Sequence, residues 1–205
     1  MHAQCDYDPR TVSVRPADLG GHLRLSAMLA RAFDEDPILR WAFPGQRSRD
    51  RYGDMFFRWS LWRCADQGVT WTTDDLAGAA IWALPDRWRV TLSQLARLVR
   101  WTAPGVGLRG PRVMWGLSMV ERRHPADRHL YLAVLGVEPV RQGGGLGSTL
   151  IQPGLGLCDG EGLAAYLETG NERNLAFYGR HGFDVTGELT LPKGPPVWLM
   201  RRPPR

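Results

Sequence analysis

The spacing of apolar residues in the C-terminal half of the chain changes repeatedly between that of a strand and that of a helix. Residues 130–137 are apolar almost throughout, which predicts a central strand buried on both faces. Residues 145–159 carry apolar side chains at helical spacing, and residues 164–169 form a second short apolar run. Residues 171–182 predict a helix that ends at Gly182. Residues 183–189 alternate between apolar and polar and predict a strand that completes the unit.

The N-terminal half shows weaker patterns of the same two kinds. They predict helices at residues 19–33 and 50–67, strands at 69–72 and 79–84, and helices at 92–101 and 113–122. The last two helices are separated by a predicted link at 103–111, which is rich in glycine and proline. The whole pattern predicts an α/β (α+β) fold, in which helices cover both faces of a mixed central β-sheet.

The composition is that of a soluble globular protein. The chain has 205 residues, of which 43% are hydrophobic and 23% are charged, and it most simply forms a single domain, 1–205. No apolar run approaches the roughly 20 residues that cross a bilayer, and the N-terminus lacks the pattern of a signal peptide. We therefore expect a cytoplasmic protein without a membrane partner.

Metal ions and nucleic acids are not expected as ligands. Cys5, Cys64 and Cys158 are too widely spaced for a zinc site or a disulfide framework, and the five histidines show no metal-ligand spacing. Cys158 is expected to be a small core residue of its helix. The 26 basic residues give a net charge of +5, which suits an anionic ligand, but they are scattered and no nucleic-acid-binding signature accompanies them.

The strand at residues 130–137 runs into a glycine-rich turn, residues 142–147, that opens the next helix. Such a turn directs backbone N–H groups and the positive end of a helix dipole at a phosphate. A P-loop needs a lysine followed by serine or threonine after its last glycine, and a dinucleotide site needs G-x-G-x-x-G; neither is present. The pattern that fits is Q-x-x-G-x-G, with an ordinary glycine-rich turn as the alternative.

This pattern resembles the pyrophosphate loop of the GNAT superfamily of N-acetyltransferases, which bind acetyl-coenzyme A. The run N-x-x-N-x-x-F-Y-x-x-x-G-F, over residues 171–183, resembles their second signature, and residues 14–18 resemble their usual opening strand. Together with the Gly-Pro-Pro-Val-Trp close, residues 130–202 resemble the puromycin N-acetyltransferase branch. Gly144, Gly170 and Gly179 depart from the lysine, serine and glutamate that are common in that branch.

The resemblance implies a sheet that splays apart between its fourth and fifth strands, with residues 130–202 as the acetyl-coenzyme A-binding core. Backbone groups of Leu135 and Val137 would pair with the pantetheine arm, and Asn174 would hydrogen-bond to it. The pyrophosphate would be held by the amides of the turn, which are those of Gln142, Gly143, Gly144, Gly145, Leu146, Gly147 and Ser148. No metal is implied.

Two side chains are candidates for proton transfer. Tyr178 is the candidate general acid for the departing thiolate, with a packed core tyrosine as the alternative. Glu168 is the candidate base for the acceptor amine, because it ends the strand beside the cofactor strand; a glutamate fixed in structural hydrogen bonds is the alternative. Arg141 and Arg173 either contact outer phosphates or are surface arginines.

The first half of the chain is expected to supply the acceptor side. The acidic segment 34–36 would attract a cationic amine, and Trp41, Phe43, Phe57 and Trp59 would line a slot, although such residues are more often solvated acids and core aromatics. We therefore predict transfer of an acetyl group from acetyl-coenzyme A to a primary amine of a small molecule by direct attack, with antibiotic-like amines among the candidates, in a monomer or homodimer.

Two other functions remain open at this point. The first is a non-catalytic module that binds or senses acyl-coenzyme A, which the presence of both Asn174 and Tyr178 argues against. The second is a nucleotide-dependent oxidoreductase, which the glycine spacing disfavours.

Overall fold

The computed structural model describes residues 12–205, apart from the side chains of Leu19, Asp66 and Gln67. The strands are β1 (Val14–Pro16), β2 (Gly68–Thr73), β3 (Gly78–Ala83), β4 (His129–Val137), β5 (Ala164–Thr169), β6 (Asp184–Thr190) and β7 (Pro196–Arg202). The α-helices are α1 (His22–Ala32), α2 (Pro37–Ala42), α3 (Gln46–Ser48), α4 (Asp54–Gln67), α5 (Leu92–Val106), α6 (Gly110–Glu121), α7 (Leu146–Gly160) and α8 (Arg173–Arg180). The strands form one mixed sheet in the order β1-β2-β3-β4-β5-β7-β6.

Helices cover both faces of the sheet, as predicted. On β3, Ala80 and Trp82 join the apolar cluster under α7, whereas Ala79 and Ile81 join the cluster under α1 and α4. All four side chains are fully buried. Burial of a large apolar side chain contributes about 1.5–3 kcal/mol, so both faces of this strand stabilise the fold. This double burial explains why the central strands are continuous apolar runs.

The sheet splits between β4 and β5, as the resemblance implied. These parallel strands are paired over three positions only, the last of which joins Tyr131 to Tyr166. The pairing of β4 with β3 then shifts by one residue between Leu132 and Val134. Ala133 is therefore the extra residue of a β-bulge, which bends a strand and increases its twist. We attribute the separation of the two strand ends to this bend.

The predicted link at residues 103–111 is wrong. α5 continues through Pro104 to Val106, a 3₁₀ turn covers Gly107–Arg109, and α6 begins at once with Pro111 in its first turn. A proline in a first turn costs little, because the N–H that it lacks would have no helical partner there. Pro104 lies in the last turn of α5, so the backbone bond that it removes affects only the end of that helix.

Cys158 is a small core residue of α7, as predicted. Its side chain is fully buried, and burial raises the pKa of its thiol to about 12. A thiol that stays protonated is a poor nucleophile, so Cys158 is unsuited to a covalent acyl-enzyme step. Cys64 is also buried and free, and Cys5 lies outside the described residues. Within residues 12–205, no helix has the length and apolar character needed to cross a membrane.

Candidate active site

The glycine-rich turn between β4 and α7 is open, and two of its glycines hold a left-handed backbone conformation. Gly143 and Gly145 have φ values of +79° and +84°, at which any side chain is strained. Within residues 12–205, no atom outside the adjoining residues lies within 4 Å of the position that a Cβ would take at either glycine, so these residues leave the turn open. α7 begins at the next residue, Leu146, and directs the positive end of its dipole at this space.

Side-chain hydrogen bonds connect this turn to the neighbouring elements. The amide Nε2 of Gln142 donates to the carbonyl oxygen of Val137 at 3.0 Å, so this side chain ties the turn to the end of β4. Glu138 accepts two hydrogen bonds from the guanidinium of Arg31, at 2.9 and 2.5 Å, which lower the pKa of its carboxyl group. The turn is therefore linked to both β4 and α1.

A cavity of about 620 Å³ extends from the turn along the end of β4 and beside α8. Every predicted cofactor-binding residue except Gly144 lines it: Leu135, Val137, Gln142, Gly143, Gly145, Leu146, Gly147, Ser148 and Asn174. Arg141 and Arg173 line it as well, and Arg141 also donates to Asp75 at 3.1 Å. The volume lies within the range of small-molecule sites, about 300–1,000 Å³.

The edge of β4 that faces this cavity is available for strand pairing. Residues 135–137 pair with β3 on their other side, and β4 has no pairing with β5 beyond Tyr131 in the part of the chain that the structure describes. The backbone groups on the open edge therefore point into the gap between β4 and β5. An extended ligand that carries amides can pair with such an edge as an additional strand.

A second cavity, of about 340 Å³, is lined by the ends of both β4 and β5 and has mainly apolar walls. These walls include Ile38, Leu39, Trp41, Phe43, Phe56, Phe57, Leu98, Val99, Val106, Val113, Met114, Leu117 and Val120. Among the described residues, the charged groups in its lining are the carboxylates of Asp36 and Glu168. Both cavities are lined by Phe33, Asp36, Leu135, Asn174 and Tyr178, so they meet at these residues.

Three of the four aromatic residues predicted for an acceptor slot line this second cavity. They are Trp41, Phe43 and Phe57. The prediction for Trp59 is wrong: its buried indole N–H donates to the carbonyl oxygen of Gln94 at 3.0 Å, which places it between α4 and α5. Helical spacing alone did not distinguish the face of α4 that lines the cavity from the face that contacts α5.

In the acidic segment before α2, two residues form ion pairs and the third caps the helix. Asp34 pairs with Arg49 at 3.0 Å, and Glu35 pairs with Arg40. Asp36 caps α2, where its Oδ1 accepts two backbone N–H groups at 2.9 and 3.0 Å. Burial raises the pKa of this carboxyl group. Of the three, Asp36 alone lines the acceptor-side cavity.

Tyr178 lies on α8 where the two cavities meet. Its side chain is 8% exposed and packs edge-on against Phe177 and Phe183. Burial, and secondly the charge of Asp36, raise the pKa of its phenol, so the hydroxyl keeps its proton at neutral pH. A group that is to donate a proton needs this state.

The two asparagines of α8 and its entry have different surroundings. Asn174 Nδ2 lies 3.4 Å from the hydroxyl oxygen of Thr169, and its side chain lines both cavities. Asn171 accepts the backbone N–H of Arg173 at 3.1 Å, which is the local bond of a residue that starts a helix. Asn171 also lines the first cavity, so its side chain stands at the entry to α8 beside the glycine turn.

Glu168 is the penultimate residue of β5, and its side chain is 8% exposed in the second cavity. Its Oε1 lies 3.2 Å from Nδ1 of His124. Burial, and secondly the charge of Glu168, raise the pKa of the phenols of Tyr131 and Tyr166. The Tyr166 hydroxyl is buried beside Glu168, whose charge favours the protonated form of the phenol.

The sequence did not reveal the residues that connect to Glu168 through polar contacts. His124 follows α6, stacks on Trp88 with ring centroids 3.6 Å apart, and contacts Nε2 of His129 through its own Nε2 at 2.8 Å. His129 is the polar first residue of an otherwise apolar strand, and this position was a usable signal. His124 and Trp88 lie in the 85–128 segment, where no local pattern points to β5.

Comparison with known proteins assigns the family. The profile of the Acetyltransferase (GNAT) family matches residues 37–183, well over half of the chain, so the chain belongs to this family. It is a GNAT N-acetyltransferase with the α/β fold of that family, and the family uses acetyl-coenzyme A. The predicted fold class is therefore confirmed.

Individual relatives are distant. An uncharacterised N-acetyltransferase of Schizosaccharomyces pombe is 24% identical over 195 residues, which cover 88% of this chain and 79% of the relative. A structure of histone acetyltransferase HPA2 and related acetyltransferase from Corynebacterium glutamicum has a TM-score of 0.73 at 24% identity, with 95% and 97% of the two chains covered.

Two further structures share the fold at lower identity. Arylalkylamine N-acetyltransferase 2 of Aedes aegypti has a TM-score of 0.65 at 13% identity, covering 95% of this chain and 100% of its own. PaiA N-acetyltransferase of Thermoplasma acidophilum, solved in complex with coenzyme A, has a TM-score of 0.56 at 10% identity, covering 94% and 99%.

Proposed function

We propose that this enzyme transfers the acetyl group of acetyl-coenzyme A directly to the primary amine of a small, largely apolar molecule, with an antibiotic-like amine of the kind that the puromycin branch acetylates as the first candidate. The observation that carries the proposal is the meeting of two cavities at Asp36, Asn174 and Tyr178. One is an open trench along the glycine turn, and the other is an apolar chamber beyond it.

The trench suits a pantetheine diphosphate. The amides of residues 142–148, at the start of α7, would hold the two phosphates, and the open edge of Leu135 and Val137 would pair with the pantetheine amides. Asn174 would add a hydrogen bond. A backbone N–H of this edge near the thioester oxygen would stabilise the charge that develops there, by about 2.7–4 kcal/mol for one such donor.

The chamber suits an amine on an aromatic or branched apolar body. Its walls are aromatic and aliphatic, and burying such a body contributes about 25 cal/mol per Å². Asp36 and Glu168 are placed to attract the ammonium group, and Glu168 would take up its proton. Tyr178 would give its proton to the departing sulfur. The Aedes aegypti relative, whose name specifies arylalkylamines, agrees with this choice of acceptor.

The test is an acceptor panel incubated with the purified protein and acetyl-coenzyme A, read by thiol release and by mass spectrometry of the products. Puromycin and simple arylalkylamines are compared with spermidine, an aminoglycoside and a short peptide. We expect kcat/KM for the apolar monoamines to exceed that for the polycations by at least about tenfold, because unpaired charges in an apolar chamber lose their hydration. Acetylation of polycations or peptides alone would contradict the acceptor class.

The competing proposal is a module that binds acyl-coenzyme A without turnover. It predicts coenzyme A binding in calorimetry and no thiol release with any amine of the panel. A protonated phenol at the junction, with one carboxylate beside it and a second in the chamber, favours the catalytic proposal.

A further inference from the structure

Three polar contacts at hydrogen-bond distance connect the carboxylate of Glu168 in series to the main chain beside β4. Oε1 of Glu168 lies 3.2 Å from Nδ1 of His124, and Nε2 of His124 lies 2.8 Å from Nε2 of His129. Nδ1 of His129 lies 2.7 Å from the carbonyl oxygen of Asp127. The side chains of Glu168 and His124 are 8% and 3% exposed, and His129 is buried, so water does not compete for these bonds.

Each of these hydrogen bonds needs one proton. The protons can be assigned in order, starting from the carbonyl oxygen of Asp127. A carbonyl oxygen only accepts, so Nδ1 of His129 carries a proton. Burial lowers the pKa of His129, which keeps this ring neutral and leaves its Nε2 as an acceptor. His124 must therefore donate through Nε2.

In a neutral His124 with its proton on Nε2, Nδ1 carries no proton, and this nitrogen faces a carboxylate oxygen of Glu168. If both groups were in their ordinary forms, a neutral imidazole and an ionised carboxylate, two acceptors would face each other at 3.2 Å. The third hydrogen bond exists only when one additional proton is present, either on Glu168 or on His124. The pair therefore holds one proton in its fully bonded form and lacks one bond without it.

We propose that Glu168 and His124 form a single proton-accepting unit, in which the proton given up by the acceptor amine completes this chain of hydrogen bonds. The proposal rests on the proposed function and assigns a positioning role to His124 and His129, which act through Glu168. Formation of the missing bond favours deprotonation of the ammonium group inside the chamber, where the free amine is the nucleophile.

The protons balance over one turnover. An ammonium loses two protons in becoming an amide: the first goes to the Glu168–His124 unit, and the second ends on the coenzyme A sulfur by way of Tyr178. The nitrogen forms its bond to the acetyl carbon as the carbon–sulfur bond breaks. The unit releases its proton to water before the next cycle, so one proton leaves per amide formed.

Other ionisable groups around the unit do not replace it. They are Tyr131 and His129 of β4, Tyr166 of β5, Arg63 of α4, Arg201 of β7 and Asp127 before β4. Burial, with the charge of Glu168, keeps both tyrosines protonated, and the arginines stay charged. Asp127 is ion-paired with Arg201 at 2.9 and 2.5 Å, so its carboxylate is already engaged.

The first experiment reads the ring nitrogens of histidine by ¹⁵N NMR in the full-length protein without substrate, so it does not depend on turnover. His129 is expected as the neutral tautomer with its proton on Nδ1. His124 is expected to carry a proton on Nε2 and to gain and lose a proton at Nδ1 as pH changes. A neutral His124 with its only proton on Nδ1 from about pH 5 to 9 would overturn the proposal, because the chain of bonds would then run in the opposite direction.

The second experiment uses Glu168→Gln, whose amide N–H can donate to Nδ1 of His124 and complete the chain without an added proton. His124 should then remain neutral over the same pH range, and turnover should fall by about 10²-fold or more. If His124 still titrates as in the wild type, the two groups do not share a proton. Because Gln preserves the bond, this variant also tests the proposal if changes at His124 impair folding.

The third experiment compares His124→Asn with the same change at His22, which lies at the start of α1 away from both cavities. The amide of the introduced asparagine can still donate to Glu168 but cannot take up a proton. We expect kcat to fall by at least about tenfold with KM for acetyl-coenzyme A unchanged, and the pH profile of kcat/KM to change shape. A wild-type pH profile in His124→Asn would overturn the proposal, whereas failure of all amines as acceptors with the expected NMR result would reject only the proposed function.

Discussion

Tyr178 illustrates how a single residue can be both a core side chain and a candidate catalyst. Its ring packs between Phe177 and Phe183, while the residue lines both cavities. The packing fixes the ring, and the burial that raises the pKa of the phenol keeps its proton in place. The two interpretations of this residue from sequence are therefore compatible.

Replacement of Tyr178 by Phe removes the hydroxyl and retains the packed ring. We expect turnover to fall about 10²-fold or more, because general acid catalysis contributes about that much, while acetyl-coenzyme A affinity in calorimetry stays unchanged. Tyr52→Phe is the matched control, since Tyr52 lines neither cavity. Wild-type turnover in Tyr178→Phe would remove the acid role.

The glycine at position 170 also has a local explanation. A Cβ at residue 170 would lie 2.5 Å from Cγ1 of Ile38, a residue of the apolar chamber wall. Gly170 therefore allows α2 to approach the end of β5. A serine at this position would displace Ile38, so the shape of the acceptor chamber depends on this glycine.

At the scale of elements, local signals made the C-terminal part of the fold predictable. The helix after the turn and the strand at residues 164–169 were predicted to within one residue, because glycines with positive φ and apolar runs mark their ends. The acceptor side was less predictable. Its chamber is assembled from α2, α4, α5 and α6, and His124 meets Glu168 across 44 residues of sequence, so no local pattern encodes the contact.

The turn before α7 gives a test at this scale. Gly145→Ala forces a side chain into φ of +84°, which costs about 1–2 kcal/mol, and no neighbouring atom would clash with it. We expect coenzyme A affinity to fall about tenfold, because relaxation of the turn misplaces its amides.

Gly179→Ala is the control for this change. It also adds one methyl group in open space, but within α8, where it should raise the free energy of unfolding by about 0.4–1 kcal/mol. Calorimetry and thermal unfolding measure both variants. Equal coenzyme A affinity in the two would show that the left-handed conformation of the turn is not needed for binding.

At the scale of the whole molecule, two neighbouring arginines of β7 form ion pairs with other elements of the fold. Arg201 binds Asp127, which precedes β4, and Arg202 binds Asp159 at the end of α7 with two bonds of 2.8 Å. The hydrogen bonds from these arginines lower the pKa of each carboxyl group to about 2. The chain end thus contributes to stability through charge as well as through strand pairing.

The stability of the protein should depend on pH through Asp159. Because its folded-state pKa is lowered, this ion pair stabilises the protein above the unfolded pKa of about 3.9, and the contribution is lost as pH falls toward 2. Asp159→Asn should therefore be less stable than the wild type in urea unfolding at about pH 7 and 5, with a difference that shrinks near pH 3. Asp184→Asn, on an exposed residue of β6, serves as the control. A constant difference down to about pH 2.5 would contradict this account.

The separation of β4 from β5 depends on the one extra residue of the β-bulge in β4. Ala133 and Val134 both face the layer of α1 and α4, and regular alternation then resumes. Gly136 sits against Leu29 and Phe33 in that layer, where a Cβ would lie 2.6 Å from Leu29. Deletion of Ala133 would remove the bulge but keep the later pairs, Val134 with Ile81 and Leu135 with Ala80, so that every later position would face the same layer as before. Loss of a single codon here should therefore leave the interior packed while it straightens β4 and narrows the opening in which the two substrates would meet.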